Sequence, residues 1–259
     1  MNLFTTGLMA SAAQSGIAAW FEQMKMEFTL NFIMKDRWKL LLTGLKNTLV
    51  IALFACLIGI ALGLIVAAVR TTWDKNAHTM HRGVGKTLLR IVDAICRVYI
   101  TVIRGTPVVV QLMIMYYIIF ASSDNGVLVA TLAFGFNSGA YVAEIFRGGI
   151  MSIDKGQFEA GRSLGLNYLQ TMWYIIIPQA FKAVLPSLAN EFITLLKESS
   201  VAFYIGVADL TLGGLRIRSI TYSNYMPLIA VALIYLILVL GLSKCVSILE
   251  RRLRKSDNR

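Results

Sequence analysis

The sequence predicts an all-α, polytopic membrane protein with about five transmembrane helices. Three observations carry this. First, 57% of the 259 residues are hydrophobic and the mean hydropathy is +0.67, more apolar than the roughly half-apolar average of soluble domains. Second, several uncharged stretches approach the ~20 apolar residues a helix needs to cross a bilayer. Third, basic residues cluster between those stretches. Segments 70–104, 147–172 and 244–259 hold sixteen of the 25 Lys and Arg, whereas 1–47 and 198–224 hold seven. Under the positive-inside rule this bias places the N-terminus outside and the C-terminus inside. The net charge of +11 is then a topology signal, and no nucleic-acid partner is expected. Cys56, Cys96 and Cys245 show no pair spacing, so neither a disulfide framework nor a metal site is indicated. The first 20 residues lack a basic n-region, and no cleavable signal is expected.

Residues 1–40 form an N-terminal extension. Within it, Phe28 to Trp38 interleaves apolar and charged residues at helical spacing, which predicts an interfacial helix with Trp38 at headgroup depth. The membrane domain covers residues 41–250. Thr48 to Val69 carries no charge and is the first span, and Gly59 and Gly63 form a G-x-x-x-G pattern that allows close helix approach. Arg70 to Arg90 reads as a basic cytoplasmic loop. Its His78 and His81 lack the further ligands a metal site needs. In Ile91 to Ile103 the flanking and internal charges (Arg90, Asp93, Arg97, Arg104) recur on one face, which predicts a helix along the cytoplasmic surface. It turns into the membrane at Arg104-Gly105-Thr106-Pro107, where Gly105 bends freely and Pro107 suits the first position of a new helix.

Val108 to Ala121 crosses, residues 122–126 lie outside, and Val127 to Phe146 crosses back. Glu144 and Arg147 read as an interfacial ion pair. Residues 147–172 form a polar cytoplasmic loop containing a helix over Gln157–Leu164, a glycine stop at Gly165 and a second helix start near Tyr168. Trp173 to Lys197 is the next span. Its Pro178 and Pro186 predict a broken helix, which survives in a membrane only when buried in protein or lining a cavity. Residues 202–224 lie outside as a short helix and loop. Tyr225 to Cys245 is the last span, and residues 251–259 are a basic cytoplasmic tail.

No catalytic set is present: there is no Walker-type phosphate loop, nucleophile elbow or paired metal ligands. An enzyme is therefore not predicted, and neither is a cofactor. Glu191 is the carboxylate nearest the middle of a span. A charge at that depth costs about 2.5–3.5 kcal/mol and commonly lines a pathway. It can receive an ammonium or guanidinium group, with Asn190 and Thr194 adding hydrogen bonds. The alternative is an internal pair with Lys182 or Lys197.

The polar loop carries a resemblance. Glu159-Ala160-Gly161, Gly165, Ile175 and Ile177-Pro178 fall at the spacing of the cytoplasmic E-A-A, three residues, G, nine residues, I, one residue, L-P loop of bacterial ABC-importer permease subunits. Gly161 replaces the second alanine and Ile177 the leucine. Arg104-Gly105-Thr106-Pro107 with Gln111, the run Tyr141 to Ile150, and Leu185 to Val201 resemble the polar amino-acid branch of that family (histidine, glutamine and arginine permeases). That branch more often has Asp-Thr-Ser-Leu where this chain has Glu198-Ser199-Ser200-Val201.

The resemblance covers about residues 30–250. It implies the type I importer permease fold and a location in the bacterial cytoplasmic (inner) membrane. The implied assembly has a second permease copy (homodimer or heterodimer), ATPase subunits that hydrolyse ATP, an extracytoplasmic solute-binding protein, surrounding lipid and an amino-acid substrate. Gln157, Glu159, Ala160, Gly161, Gly165 and Pro178 are implied as the ATPase-coupling residues. In that reading Phe158 and Leu164 are apolar anchors, and Glu159 and Arg162 supply charge contacts. Cationic amino acids are slightly favoured by Glu191, with glutamine or another polar amino acid open. A self-sufficient secondary transporter would predict an internal repeat, and none is seen.

Overall fold

The computed structural model describes residues 17–77 and 83–257. Four of its helices are long and apolar enough to span a bilayer, and the number is five if one sharply bent pair counts as a span.

Helix α1 (17–28) does not lead into a single interfacial helix over Phe28–Trp38. A π turn at Thr29–Ile33 and a 3-10 turn at Met34–Asp36 intervene. Lys35 and Asp36 sit in the left-handed region at φ 54°, which stops a right-handed helix. The kink is held locally: the Arg37 guanidinium donates to the Leu30 carbonyl, and Lys39 pairs with Asp36 at 2.6 Å. That hydrogen-bonded lysine holds the Asp36 carboxyl below its usual range.

Helix α2 (Trp38–Asn76) has 39 residues and is therefore about 58 Å long, far more than the bilayer core requires. It starts before the expected boundary at residue 40 and continues past Val69. The expected Arg70–Arg90 loop is thus mostly helix, since α3 begins at Val84 (Val84–Gly105). His78 and His81 lie outside the described residues. Among the described residues no cluster of His, Cys, Asp and Glu fits a metal.

Helix α5 (Gly126–Met151) is the centre of the bundle. Its apolar window is 67% buried, against 11% for α10. It meets α2 along glycines from both sides. An added Cβ on Gly59 would lie 2.8 Å from Ser138, one on Gly63 2.5 Å from Val142, and one on Gly135 2.7 Å from Ile58. The G-x-x-x-G pair is therefore a real crossing point.

Helices α3 and α4 (Val108–Ile114, continued by a π turn Met115–Ile119) are bent by 111°. Pro107 is the extended N-cap of α4, one residue earlier than expected. Gln111 clamps the bend. Its Nε2 donates to the carbonyls of Ile103 (2.8 Å) and Thr106 (3.1 Å) and to Thr106 Oγ1 (2.7 Å), while its Oε1 accepts from Asn137 Nδ2 of α5 at 2.9 Å.

After the polar loop, α8 (Ile177–Glu198) runs without a break through Pro186. The expected proline break is absent. Pro178 sits in the first turn of α8, where its missing N–H is harmless, and the widened π turn Met172–Ile176 absorbs the adjustment just before it. A 3-10 turn (Ser199–Ile205) and left-handed Gly206 (φ 77°) lead to α9 (Leu210–Thr221). Asp209 caps α9, accepting from Leu212 N at 2.9 Å and Thr211 N at 3.2 Å. Its complete burial pushes the carboxyl above the usual range, against those two hydrogen bonds.

This corner docks on α2. Asn47 Nδ2 donates to Ala208 O (2.9 Å), and Leu210 N donates to Thr48 Oγ1 (3.1 Å). Helix α10 (Met226–Asp257) is continuous, so the expected tail at 251–259 is, as far as Asp257, the end of a helix.

Candidate functional site

Two places gather the candidate residues. The first is the loop between α5 and α8. Asp154 caps α6 (Lys155–Ser163) by accepting from Gly156 N at 2.6 Å. Gly165, at φ 77°, ends the helical run as the sequence indicates, because glycine takes the left-handed conformation without a Cβ clash. Asn167 and Gln170 form a reciprocal capping box that starts α7 (Tyr168–Thr171).

Gln157, Glu159, Ala160, Gly165 and Pro178 are exposed, while Gly161 is buried. A Cβ on Gly161 would lie 2.6 Å from Thr171 Cγ2, so the close approach it permits is to α7 within this chain. Phe158 is half-buried, with Lys75 Nζ of α2 only 3.5 Å from its ring centroid. It anchors α6 to α2 and is not a free apolar contact, whereas Leu164 is 77% exposed. Gln179 Nε2 donates to Gln157 Oε1 at 3.2 Å and to Ile175 O at 2.9 Å, tying α6 to the start of α8. Glu144 and Arg147 form the expected pair at 2.9 Å.

The second place is α8. Leu188 and Leu195 are buried and flank Glu191 on the side that faces α5. There the wholly buried Ser138 donates to Glu191 Oε1 at 2.7 Å. Among the described residues no ion pair joins Glu191 to Lys182 or Lys197; the pairs present are elsewhere. Asn190 and Thr194 do not join this contact. The Thr194 hydroxyl donates to the Asn190 carbonyl at 3.2 Å.

Ser187, Asn190 and Lys197 are exposed and Thr194 half-buried. Their spacing makes one polar stripe along α8, with Glu191 at its inner edge. A polar stripe on a spanning helix needs protein or water over it, because lipid chains offer no hydrogen bonds. Glu198 lies two turns beyond Glu191 and is half-buried. Ser138 and Asn137 were not anticipated from the sequence. The available signal was a polar pair in the middle of the apolar run Val127–Phe146.

The family model for the binding-protein-dependent transport system inner membrane component matches residues 84–255. The chain belongs to this family. Among its curated relatives is the arginine transport system permease protein ArtQ of Bacillus subtilis (strain 168), 36% identical over 84% of this chain and 94% of that one. The glutamine transport system permease protein GlnP of Escherichia coli (strain K12) is 38% identical over 83% and 93%. The L-cystine transport system permease protein TcyB of Bacillus subtilis (strain 168) is 33% identical over 86% and 90%.

A solved amino acid ABC transporter with histidines superposes with a TM-score of 0.74 at 39% identity, covering 85% of this chain and 96% of that one. The MetNI methionine ABC transporter shares the fold (TM-score 0.69, 20% identity, 85% and 98% covered). The chain is thus an all-helical, multi-pass inner-membrane permease of the ABC-importer type, and the reading from the polar loop and the Arg104–Pro107 turn holds.

Proposed function

We propose that this permease forms the translocation pathway for amino acids in an ABC importer and couples it, through α6, to separate ATPase subunits. The observation that carries the reading is the stripe Ser187, Asn190, Thr194 and Lys197 with Glu191 at its edge, on a span that lipid alone cannot satisfy. A second permease copy, identical or homologous, covers that stripe and closes the pathway. The relatives named for arginine, glutamine and L-cystine transport support an amino-acid cargo.

Glu191 holds the cationic end of arginine, lysine or histidine, with Asn190 and Thr194 contributing hydrogen bonds. A second reading, favoured by the 38% identity to a glutamine permease, has Glu191 holding the α-amino group of a neutral amino acid. The exposed Gln157, Glu159, Ala160 and Gly165 meet the ATPase, while Gly161 and Pro178 shape the surface that presents them. An extracytoplasmic binding protein delivers the substrate. The basic 147–172 loop lies in the cytoplasm, the N-terminus outside and the C-terminus inside.

Co-purification tests the assembly. The ATPase subunit is retained in mild detergent by the native chain and lost when residues 157–166 are replaced. Retention after that replacement would overturn the coupling role. Uptake of a panel of labelled amino acids by the reconstituted complex identifies the cargo.

A further inference from the structure

Helix α3 divides apolar from charged residues more sharply than any other long helix of the chain. Val84, Leu88, Ile91, Ile95, Val98 and Val102 alternate at spacings of four and three and are 53–87% exposed. At about 100° per residue they form one narrow stripe, and Arg90, Asp93, Arg97 and Arg104 fall on the opposite side. Between the two lies the flank that holds the helix to the bundle. Cys96 and Ile100 are buried there, Ile100 against Ala140 and Ala143 of α5, and the Tyr99 hydroxyl donates to Phe136 O.

The charged side is tied to the end of α2. Asp93 accepts from Arg70 at 3.4 Å and Arg97 at 2.8 Å, and Asp74 faces Arg97 at 3.8 Å. With Asp93 engaged twice, Arg90 and Arg104 have no ion-pair partner among the described residues. The 111° bend to α4 keeps α3 from continuing as a straight span. A helix about 33 Å long with one flank on protein, an apolar stripe on one side and surplus arginine on the other has the form of an in-plane interfacial helix.

We infer that α3 lies in the plane of the cytoplasmic leaflet, with its stripe among the acyl chains and Arg90 and Arg104 binding the phosphates of anionic phospholipid. The importer reading supplies only which leaflet is meant. Charge complementarity selects the lipid: Arg90 and Arg104 lie across the helix from the apolar stripe with no carboxylate partner among the described residues, Arg104 resting 5.4 Å over the Tyr141 ring, and arginine pairs phosphate through two parallel hydrogen bonds. A basic side chain near an anionic surface strengthens association about fivefold, and salt weakens it.

The test uses the full-length chain, mixed vesicles of phosphatidylglycerol and phosphatidylcholine, and quantification of the lipid retained after mild detergent extraction. The native chain retains phosphatidylglycerol well above its fraction in the vesicles. An Arg90→Gln, Arg104→Gln double variant lowers that preference by about 25-fold, about fivefold per arginine, while its thermal midpoint stays unchanged because both side chains are exposed. Arg90→Lys, Arg104→Lys keeps a preference that high salt removes. The proposal is overturned if the Gln variant keeps the native preference, or if both lipids are retained equally, which would leave apolar contact only. It is also overturned if Val98→Cys in a Cys245→Ser background forms a disulfide between two copies in the bilayer, because the stripe would then be covered by protein. No transport is measured, so the outcome is independent of the cargo.

Discussion

Replacing Glu191 by glutamine removes one charge and almost nothing else. The amide keeps an oxygen that accepts from Ser138 Oγ, now 2.7 Å from Glu191 Oε1, so the contact between α8 and α5 survives. The fold gains, because a charge at mid-membrane depth costs about 2.5–3.5 kcal/mol and a hydrogen-bonded amide costs less. The substrate loses. A bound guanidinium or ammonium group left without its buried carboxylate loses about 2–5 kcal/mol, which is about a 30- to 5000-fold drop in affinity.

The assay is equilibrium binding of labelled arginine, lysine and glutamine to the purified permease–ATPase complex, with thermal melting as the control for folding. Arginine and lysine affinities fall at least about 30-fold and the melting midpoint does not drop. Ser138→Ala, which keeps the charge but removes the donor that orients it, costs less, about 1.5–3 kcal/mol as a hydrogen bond to a charged group. If Glu191 holds the α-amino group instead, arginine and glutamine fall together. Unchanged affinity for all three amino acids in Glu191→Gln refutes the site.

Gly44→Ala places a Cβ 2.4 Å from Asp209 O and 2.8 Å from Leu210 Cα, all backbone. The corner must lift off α2, straining the Asn47 and Thr48 hydrogen bonds, and an overpacking loss of about 1–3 kcal/mol appears as a lower melting midpoint. On the loop between α5 and α8, Gly161→Val drives into Thr171, where even a Cβ lies at 2.6 Å, and displaces α6. ATPase retention falls in pull-down while the melting of the membrane bundle stays near native. Gly165→Ala meets no neighbour and costs only the left-handed backbone, about 1–2 kcal/mol, with a milder loss of retention. Asp93→Asn leaves Arg70, whose side chain is 14% exposed, without its carboxylate. Breaking such a pair costs about 3–5 kcal/mol and lowers the melting midpoint, whereas Asp74→Asn, in a long contact to an exposed Arg97, changes stability by less than about 1 kcal/mol.

The loop between α5 and α8 was readable because its signals are local. The Gly165 stop and the start near Tyr168 depend on residues within one or two turns of each other, and the structure places α6, the left-handed glycine and α7 accordingly. The bend at Arg104–Pro107 was readable for the same reason, although its clamp was not: Gln111 reaches across to Asn137 of α5. The ends of α2 were missed because apolar composition marks where a helix meets lipid, whereas Arg70 to Asn76 extend the same hydrogen-bonded helix with polar residues. The sequence predicted a proline break that the structure lacks, because the effect of proline depends on its place: Pro178 falls in a first turn beside a π turn, and Pro186 is accommodated inside α8.

What the sequence determined by itself was class, approximate span number, the signature of the permease family and the helix–glycine–helix pattern of the loop between α5 and α8, all of which follow from composition and from spacings of a few residues. Only the tertiary structure decided which way the chemistry points. It turned Phe158 inward beneath Lys75 and gave Glu191 a buried serine in place of a lysine. It also left Asn190 and Thr194 on an open stripe, away from the Glu191 contact. Those outcomes depend on α8 packing against α5 and α6 against α2, contacts between residues roughly 50 to 80 positions apart, which no local pattern encodes.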